Sequence, residues 1–189
     1  MQTNMQLLAH CNGDKAAEQL ILHVKKHIPD IFSIRPVMIH AQLLGIDQMD
    51  EIKKCGILPS FFISHIFHWG DIHIKNFGYE RASQISPAGS AAKKGILFTF
   101  HQDSPVLPPN MFETIWCAVT RQTKEGTILG EGEKISVLEA IKAVTLYSAY
   151  QYFEEDKKGS IREGKIADLI IVDKNPLKVP VSQIPNITI

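Results

Sequence analysis

The sequence predicts an α/β fold in which helices cover a parallel sheet. Short apolar segments with the composition of buried strands alternate with amphipathic helical segments along the chain. The apolar segments end in polar side chains, and these ends follow one another at intervals of about 25 to 40 residues, the length of one strand–helix unit. Because no glycine-rich phosphate loop follows any strand, a nucleotide-binding doubly wound sheet is less favoured.

The first half of the chain contains two clear strand–helix units and the start of a third. The helix of the first unit places Ala17, Leu20, Ile21 and Val24 at helical spacing, with charged side chains on the opposite face. The predicted elements are a strand at Met5–His10, a helix at Asp14–His27, a strand at Arg35–Ala41, a helix at Asp47–Cys55 and a strand at Ile57–Ile63.

The second half begins with an irregular connection and ends in a segment rich in proline. A capping box at Ser136–Glu139 predicts the start of a helix that continues to about Phe153. The other predicted elements are short helices around Ile72–Phe77 and Ser90–Lys93, a strand at Ile96–Phe100, a helix at Asn110–Gln122 and two short β segments within Gly159–Val172.

Composition restricts the function and the location. The 189 residues suffice for one domain of ordinary size. Lysine plus arginine equals aspartate plus glutamate at 20 each, so no electrostatic argument favours nucleic acid or an anionic membrane. Three cysteines without paired spacing indicate a reducing compartment. The N-terminal residues lack the pattern of a signal peptide, and no apolar run reaches the roughly 18 residues of a membrane span. We therefore expect a cytoplasmic protein.

Three potential metal ligands occupy the same position in successive units. His10, His40 and Asp103 each lie at the C-terminal end of an apolar strand. In parallel α/β folds this edge of the sheet is where ligands bind. Two imidazoles and a carboxylate form a donor set suited to zinc, iron or manganese. The alternative is that each side chain caps its strand and hydrogen-bonds a neighbouring loop.

Other polar residues near these ends are weaker candidates. His65 and His68 follow the third strand, where either could contact a substrate or its leaving group. His101 lies two residues before Asp103, so it faces the same side if the strand continues, and it could help to bind a ligand. Arg81 could bind an anionic group or form a surface ion pair. The histidines interpreted as ordinary helix or surface residues are His23, His27 and His73.

Taken in order, these segments resemble the amidohydrolase superfamily. The resemblance is to the amidohydrolase-3 branch, which includes N-substituted formamide deformylase-like proteins, and it covers nearly the whole chain. It is carried by the stretches LLAHCNGDKAAEQLI, RPVMIHAQLLGIDQMDEIKKCGILPSFFISHIFHWGD, GYERASQISPAGSAAKKGILFTFHQDSPVLPP, VTRQ and ISVLEAIKAVTLYSAYQYFEEDKKGSIREGKIADLIIVDKNP.

The resemblance implies a metal-dependent hydrolase built on a (β/α)8 TIM barrel. Residues 1–153 would form units five to eight of the barrel, and residues 154–189 would form a tail segment of a small β-sandwich. His10 and His40 match metal-binding histidines. Asp103 matches an aspartate that binds metal and moves the proton of the attacking water, and His65 matches a substrate-facing histidine. The implied cofactor is a divalent metal, zinc for preference, with one or two ions in a complete site.

The chain also departs from the family pattern. The His-x-His pair of the first strand and the fourth-strand ligand are absent, and the family pattern FGSD-x-P is changed to FHQDSP. His101 therefore either crowds the pocket or adds a ligand. We expect a truncated or split hydrolase of non-peptide amide bonds, inactive alone, that associates with itself or with a partner carrying the N-terminal half-barrel. The alternative is an inactive folding or interaction module, such as a homodimer of half-barrels.

Overall fold

The centre of the structure is a four-stranded parallel sheet whose strands lie side by side in chain order. In the computed structural model, residues 5–28 and 31–189 are described. The strands are β1 (Leu8–Cys11), β2 (Val37–His40), β3 (Leu58–Phe61) and β4 (Thr99–Phe100). All three strand pairs are parallel, which confirms the α/β class predicted from the sequence.

Helices follow each strand and form the larger part of the regular secondary structure. Helix α1 has the predicted bounds and buries the predicted apolar face. The helices are α1 (Asp14–His27), α2 (Ile31–Ile34), α3 (Met49–Lys54), α4 (His65–Phe77), α5 (Tyr79–Ala82), α6 (Ala88–Lys93), α7 (Met111–Thr120), α8 (Val137–Val144) and α9 (Leu146–Gln151), with short 3-10 helices at Ile46–Gln48, Glu131–Glu133 and Val181–Asn186. None of the helices in the described residues is long and apolar enough to cross a membrane.

The register of the sheet aligns the C-terminal ends of all four strands. Cys11 pairs with His40, His40 with Phe61, and Phe61 with Phe100. The ladder continues one step further, because the backbone N–H of His101 donates to the carbonyl of Phe61 at 3.1 Å. Residues that follow the strands therefore emerge at one edge of the sheet, which is where the sequence places its candidate ligands.

One large core packs between the strands and the helices. Helix α1 contributes Val24, β2 contributes Met38 and α3 contributes Ile52, all fully buried. The rings of Phe61 and Phe98 lie 5.8 Å apart in the same cluster. Burial of this many apolar side chains is the main term that stabilises the sheet against the helices.

Several predicted elements have other bounds in the structure. The strand expected at Met5–His10 is β1, which begins at Leu8 and includes Cys11. The connection after β3 is not irregular before residue 72, because α4 begins at His65 and continues to Phe77. The helix expected to reach Phe153 is interrupted at Thr145, whose φ of −128° and ψ of −84° are not helical, and it forms α8 and α9 instead.

The two β segments predicted within residues 159–172 are not strands. Ile161 and Ile171 are 86% and 89% exposed, and the segment has no neighbouring strand in the described part of the chain. A strand needs a second strand to satisfy its backbone groups, so β-branched composition alone does not produce one. The composition of this segment is that of a strand, but the segment has no second strand among the described residues with which to pair.

Candidate metal and substrate site at the strand ends

Two of the predicted ligands, His10 and His40, contact each other. Their rings meet edge to face with centroids 4.6 Å apart. The register alone would place them on opposite faces, because His10 pairs with Ile39 and side chains alternate along a strand. However, His40 has a φ of +70°, about half a turn from the −120° of a regular parallel strand. This reversed backbone turns the His40 side chain to the face that His10 occupies.

His101 extends this pair into a row of three histidines. Its Nε2 atom lies 3.1 Å from Nδ1 of His40, and the two ring centroids are 4.9 Å apart. On the other side of the ring, Nδ1 lies 3.0 Å from Oγ of the buried Ser60 on β3. Burial, with a smaller contribution from the neighbouring His40, lowers the pKa of His101 to about 4, although Asp103 opposes the shift. His101 is therefore neutral at neutral pH and keeps one lone-pair nitrogen.

A second polar group lies at the start of α4. The Nε2 atom of Gln42 is 3.0 Å from Nε2 of His73 and 3.4 Å from Nδ1 of His65. These two ring nitrogens, Nδ1 of His65 and Nε2 of His73, are 3.3 Å apart. Burial lowers the pKa of His65 to about 4, with His73 as the next cause. The ring of Phe62 separates this group from the first one, with centroids 4.6 Å from His65 and 5.5 Å from His101.

His73 and Gln42 were not among the sequence-predicted site residues. His73 was interpreted as an ordinary helix or surface residue, and the structure corrects this because its pKa is lowered by burial and it contacts His65 and Gln42. The spacing of residues along α4 could have identified His73 as a site residue. His65, Trp69 and His73 recur every four residues and so share one face of α4. This four-residue spacing indicates a shared face only if residues 65–73 are helical, and the sequence prediction began the helix near Ile72.

Asp103 lies in the turn directly after β4, on the solvent side of the histidines. Its side chain is exposed and its φ is +51°, a left-handed conformation that aspartate tolerates better than most residues. Its charge raises the pKa of His40, His65 and His101, against the larger effect of burial. The structure therefore brings Asp103 within electrostatic range of both histidine groups.

Arg81 and His68 contact carboxylates outside these two histidine groups. Nη2 of Arg81 lies 3.2 Å from Oδ2 of Asp14, and both side chains are about half exposed. This pair borders a cavity of about 330 Å³ whose lining includes Leu44 and Gln84 and none of the histidines described above. His68 instead contacts Glu113 on α7, with Nε2 and Oε1 2.9 Å apart.

The donor types at the strand ends fit a divalent metal ion. His40 is 5% exposed, and burial followed by the charge of His10 lowers its pKa, so the ring is a neutral donor at pH 7. Asp103 adds a carboxylate within electrostatic range of this ring. Across residues 5–28 and 31–189, however, no group of three or more His, Cys, Asp or Glu side chains is already arranged to hold a metal ion. The donor atoms of these side chains suit a divalent metal ion, but their arrangement in the part of the chain that the structure describes does not form a complete metal site.

These histidines lie at the C-terminal edge of the parallel sheet of an α/β protein, and sequence comparison specifies the family. The family model described as the amidohydrolase family, in its amidohydrolase-3 branch, matches residues 2–189. The chain belongs to this family, which confirms the resemblance found in the sequence.

Individual relatives match a limited part of their own length. The YtcJ protein of Bacillus subtilis (strain 168) is 28% identical over 189 residues, which span 97% of this chain and 35% of YtcJ. The N-substituted formamide deformylase of Arthrobacter pascens is 26% identical over 139 residues, 73% of this chain and 26% of the relative. A metal-dependent hydrolase of Pyrococcus furiosus matches in structure with a TM-score of 0.75 and 28% identity, over 92% of this chain and 34% of that one. The chain thus spans about a quarter to a third of the length of these relatives.

Proposed function

We propose that this chain forms barrel units five to eight of a metal-dependent hydrolase that cleaves non-peptide carbon–nitrogen bonds such as amides. The observation that carries the proposal is the row of contacts from His10 to His40 to His101, at the C-terminal ends of β1, β2 and β4 of one parallel sheet. The proposal is supported by relatives of which this chain covers about a third of the length. The similarity to an N-substituted formamide deformylase favours small N-substituted amides as the substrate class.

Each side chain has a defined part in this proposal. His10 and His40 would hold the metal, with Asp103 as the carboxylate donor, and zinc suits these donor types. When bound, a divalent metal lowers the pKa of a water molecule, so that hydroxide forms near neutral pH. Asp103 would accept the proton of that water and pass it to the leaving nitrogen. His65, oriented by its contacts with Gln42 and His73, would hydrogen-bond the substrate carbonyl.

Zinc binding by the purified chain tests the ligand assignment. We expect the wild-type chain to bind close to one zinc ion in equilibrium dialysis with metal analysis. His40→Ala should lower the bound zinc by at least about tenfold, since the ring in contact with His10 is lost. His27→Ala, which removes an exposed histidine from α1, is the matched control and should leave zinc binding unchanged. Equal zinc content in His40→Ala and the wild type would remove His40 from the ligand set.

The open edge of the sheet supports the proposal that the chain acts with a partner. Among the described residues β1 pairs only with β2, and Met5, Leu7 and Leu8 are exposed beside it, Met5 to 73%. An unprotected strand edge with apolar neighbours favours pairing with another strand. We propose that this strand is supplied by a polypeptide carrying barrel units one to four. The alternative is an inactive module in which two half-barrels pair.

Co-expression and sizing distinguish these partners. The chain alone should elute in light-scattering chromatography as a dimer or larger species. Co-expression with a segment carrying units one to four of an amidohydrolase relative should convert it to a one-to-one complex that hydrolyses N-substituted formamides. A stable monomer that ignores the added segment would contradict both forms of the partner proposal. A homodimer that persists beside the segment would favour the interaction module.

A further inference from the structure

The contact between His40 and His101 has unusual hydrogen-bonding demands. The two nitrogens that face each other, Nδ1 of His40 and Nε2 of His101, are 3.1 Å apart. A neutral imidazole carries one N–H and one lone pair. Two facing lone pairs repel, so either a proton or a cation must lie between these atoms. Which of the two occupies the position depends on where the proton of His101 resides.

The contact with Ser60 is compatible with a proton on the far side of the His101 ring, since a hydroxyl oxygen can accept from Nδ1–H. Oγ of Ser60 lies 3.0 Å from Nδ1 of His101, and Ser60 is 3% exposed, so water does not compete for this contact. With Nδ1–H donating to Ser60, Nε2 is left as a lone-pair nitrogen directed at His40. A hydrogen bond from the outer nitrogen is the arrangement typical of metal-bound histidines.

The spacing of the two nitrogens is also close to that of a shared metal ion. Zinc–nitrogen bonds of about 2.0–2.1 Å at a tetrahedral angle put neighbouring nitrogens about 3.3 Å apart. The observed 3.1 Å differs from this by a few tenths of an ångström, which a small ring rotation supplies. Phe62, whose ring centroid is 5.5 Å from that of His101, packs beside the pair.

We propose that His101 is a direct protein ligand that shares one divalent cation with His40. The inference rests on the proposed function for the presence of the metal, and it adds a donor to the set of His10, His40 and Asp103. Its chemical consequence is specific to this chain. With His10 and His40, an imidazole directly after β4 would raise to three the imidazole donors that this chain itself supplies.

The competing role for His101 predicts the opposite effect of its removal on metal affinity. As a hydrogen-bonding competitor it would occupy Nδ1 of His40 and exclude the metal, so its removal would tighten metal binding. As a ligand, its removal must weaken binding. The direction of the change therefore decides between the two roles. His101→Phe keeps a ring of similar size against Phe62, which limits any change in packing.

The test measures zinc affinity of the full 189-residue chain by equilibrium dialysis against a competing chelator. We expect His101→Phe to weaken zinc binding by about 10- to 100-fold, and Ser60→Ala to weaken it by about tenfold through the outer hydrogen bond. His27→Ala serves again as the control and should match the wild type. As a second readout, zinc should shift the ¹⁵N resonance of His101 Nε2 in the wild-type chain.

The outcomes separate this inference from the proposed function. If the wild-type chain binds no zinc while its complex with units one to four hydrolyses N-substituted formamides, only the ligand role of His101 is overturned; if the chain binds no zinc and the complex is inactive, both are wrong. If it binds zinc through His40 while His101→Phe binds equally or more tightly, only the ligand role of His101 is overturned. An unshifted His101 Nε2 resonance in zinc-loaded protein would overturn that role even if the substitution lowered affinity. Weaker binding together with the shifted resonance supports it.

Discussion

Replacing Arg121 with methionine is expected to reduce the free energy of unfolding by about 3–5 kcal/mol. Arg121 is fully buried at the end of α7, and its guanidinium donates hydrogen bonds to backbone carbonyls only. These are the carbonyls of Leu129 at 2.6 Å, Ile85 at 2.8 Å, Ser86 at 3.0 Å and Ser83 at a longer 3.4 Å. Methionine keeps much of the volume and leaves these buried acceptors without donors, at a cost of about 1–3 kcal/mol for each one that does not relax.

Arg121 also connects indirectly to the candidate site. The segment it holds includes Ser86, whose backbone N–H donates to the carbonyl of Gln42 at 2.8 Å. Gln42 in turn contacts His65 and His73. Burial lowers the pKa of Arg121 to about 10, so the guanidinium remains charged at neutral pH and its hydrogen bonds are charge-assisted. Loss of this side chain should therefore loosen the second histidine group as well as the fold.

Urea unfolding followed by circular dichroism measures the effect. The matched control is Arg162→Met, which removes an exposed guanidinium and should change the free energy of unfolding by less than about 0.5 kcal/mol. If Arg121→Met unfolds during purification, Arg121→Lys, which keeps the charge and loses the fork of donors, gives a smaller loss that can be measured. A loss below about 1 kcal/mol for Arg121→Met would show that the carbonyls find other donors.

The sequence predicted the fold where local pattern and tertiary structure agree. Helix α1 was predicted residue for residue, because its apolar spacing, charged face and flanking breakers all indicate the same element. The order of strands and helices followed from the same alternation. The start of α4 at His65 was missed since Phe61–Ile63 reads as a continuing strand, and the residues after it are mostly aromatic and β-branched. The tail was missed because strand formation needs a neighbour.

The site was harder to predict than the fold. Position at the C-terminal end of a strand placed His10, His40, His101 and Asp103 at one edge of the sheet. What sequence cannot supply is the reversed φ of +70° at His40, continued by +45° at Ala41. A left-handed conformation at a residue other than glycine is imposed by the surrounding structure and is disfavoured locally. Without it, His40 would not contact His10.

Replacing Asp103 with asparagine is expected to reduce turnover of the assembled enzyme by about 10²- to 10⁴-fold. An amide of the same shape cannot accept the proton that the proposed mechanism assigns to the carboxylate. The fold should be preserved, since asparagine tolerates the left-handed backbone found at this position, where φ is +51°. Asp168→Asn, which alters an exposed carboxylate in the tail, is the control and should retain full turnover.

The same substitution has a consequence that can be measured in the chain alone. Asp103 raises the pKa of His40, although burial and His10 lower it more. Removing this negative charge should therefore lower the pKa of His40 further in NMR titrations of the metal-free chain. If the pKa falls but turnover of the complex is unchanged, Asp103 lies beside the histidines without moving the proton. If neither changes, the turn after β4 does not bring Asp103 to the site, and the proton must be moved by another group.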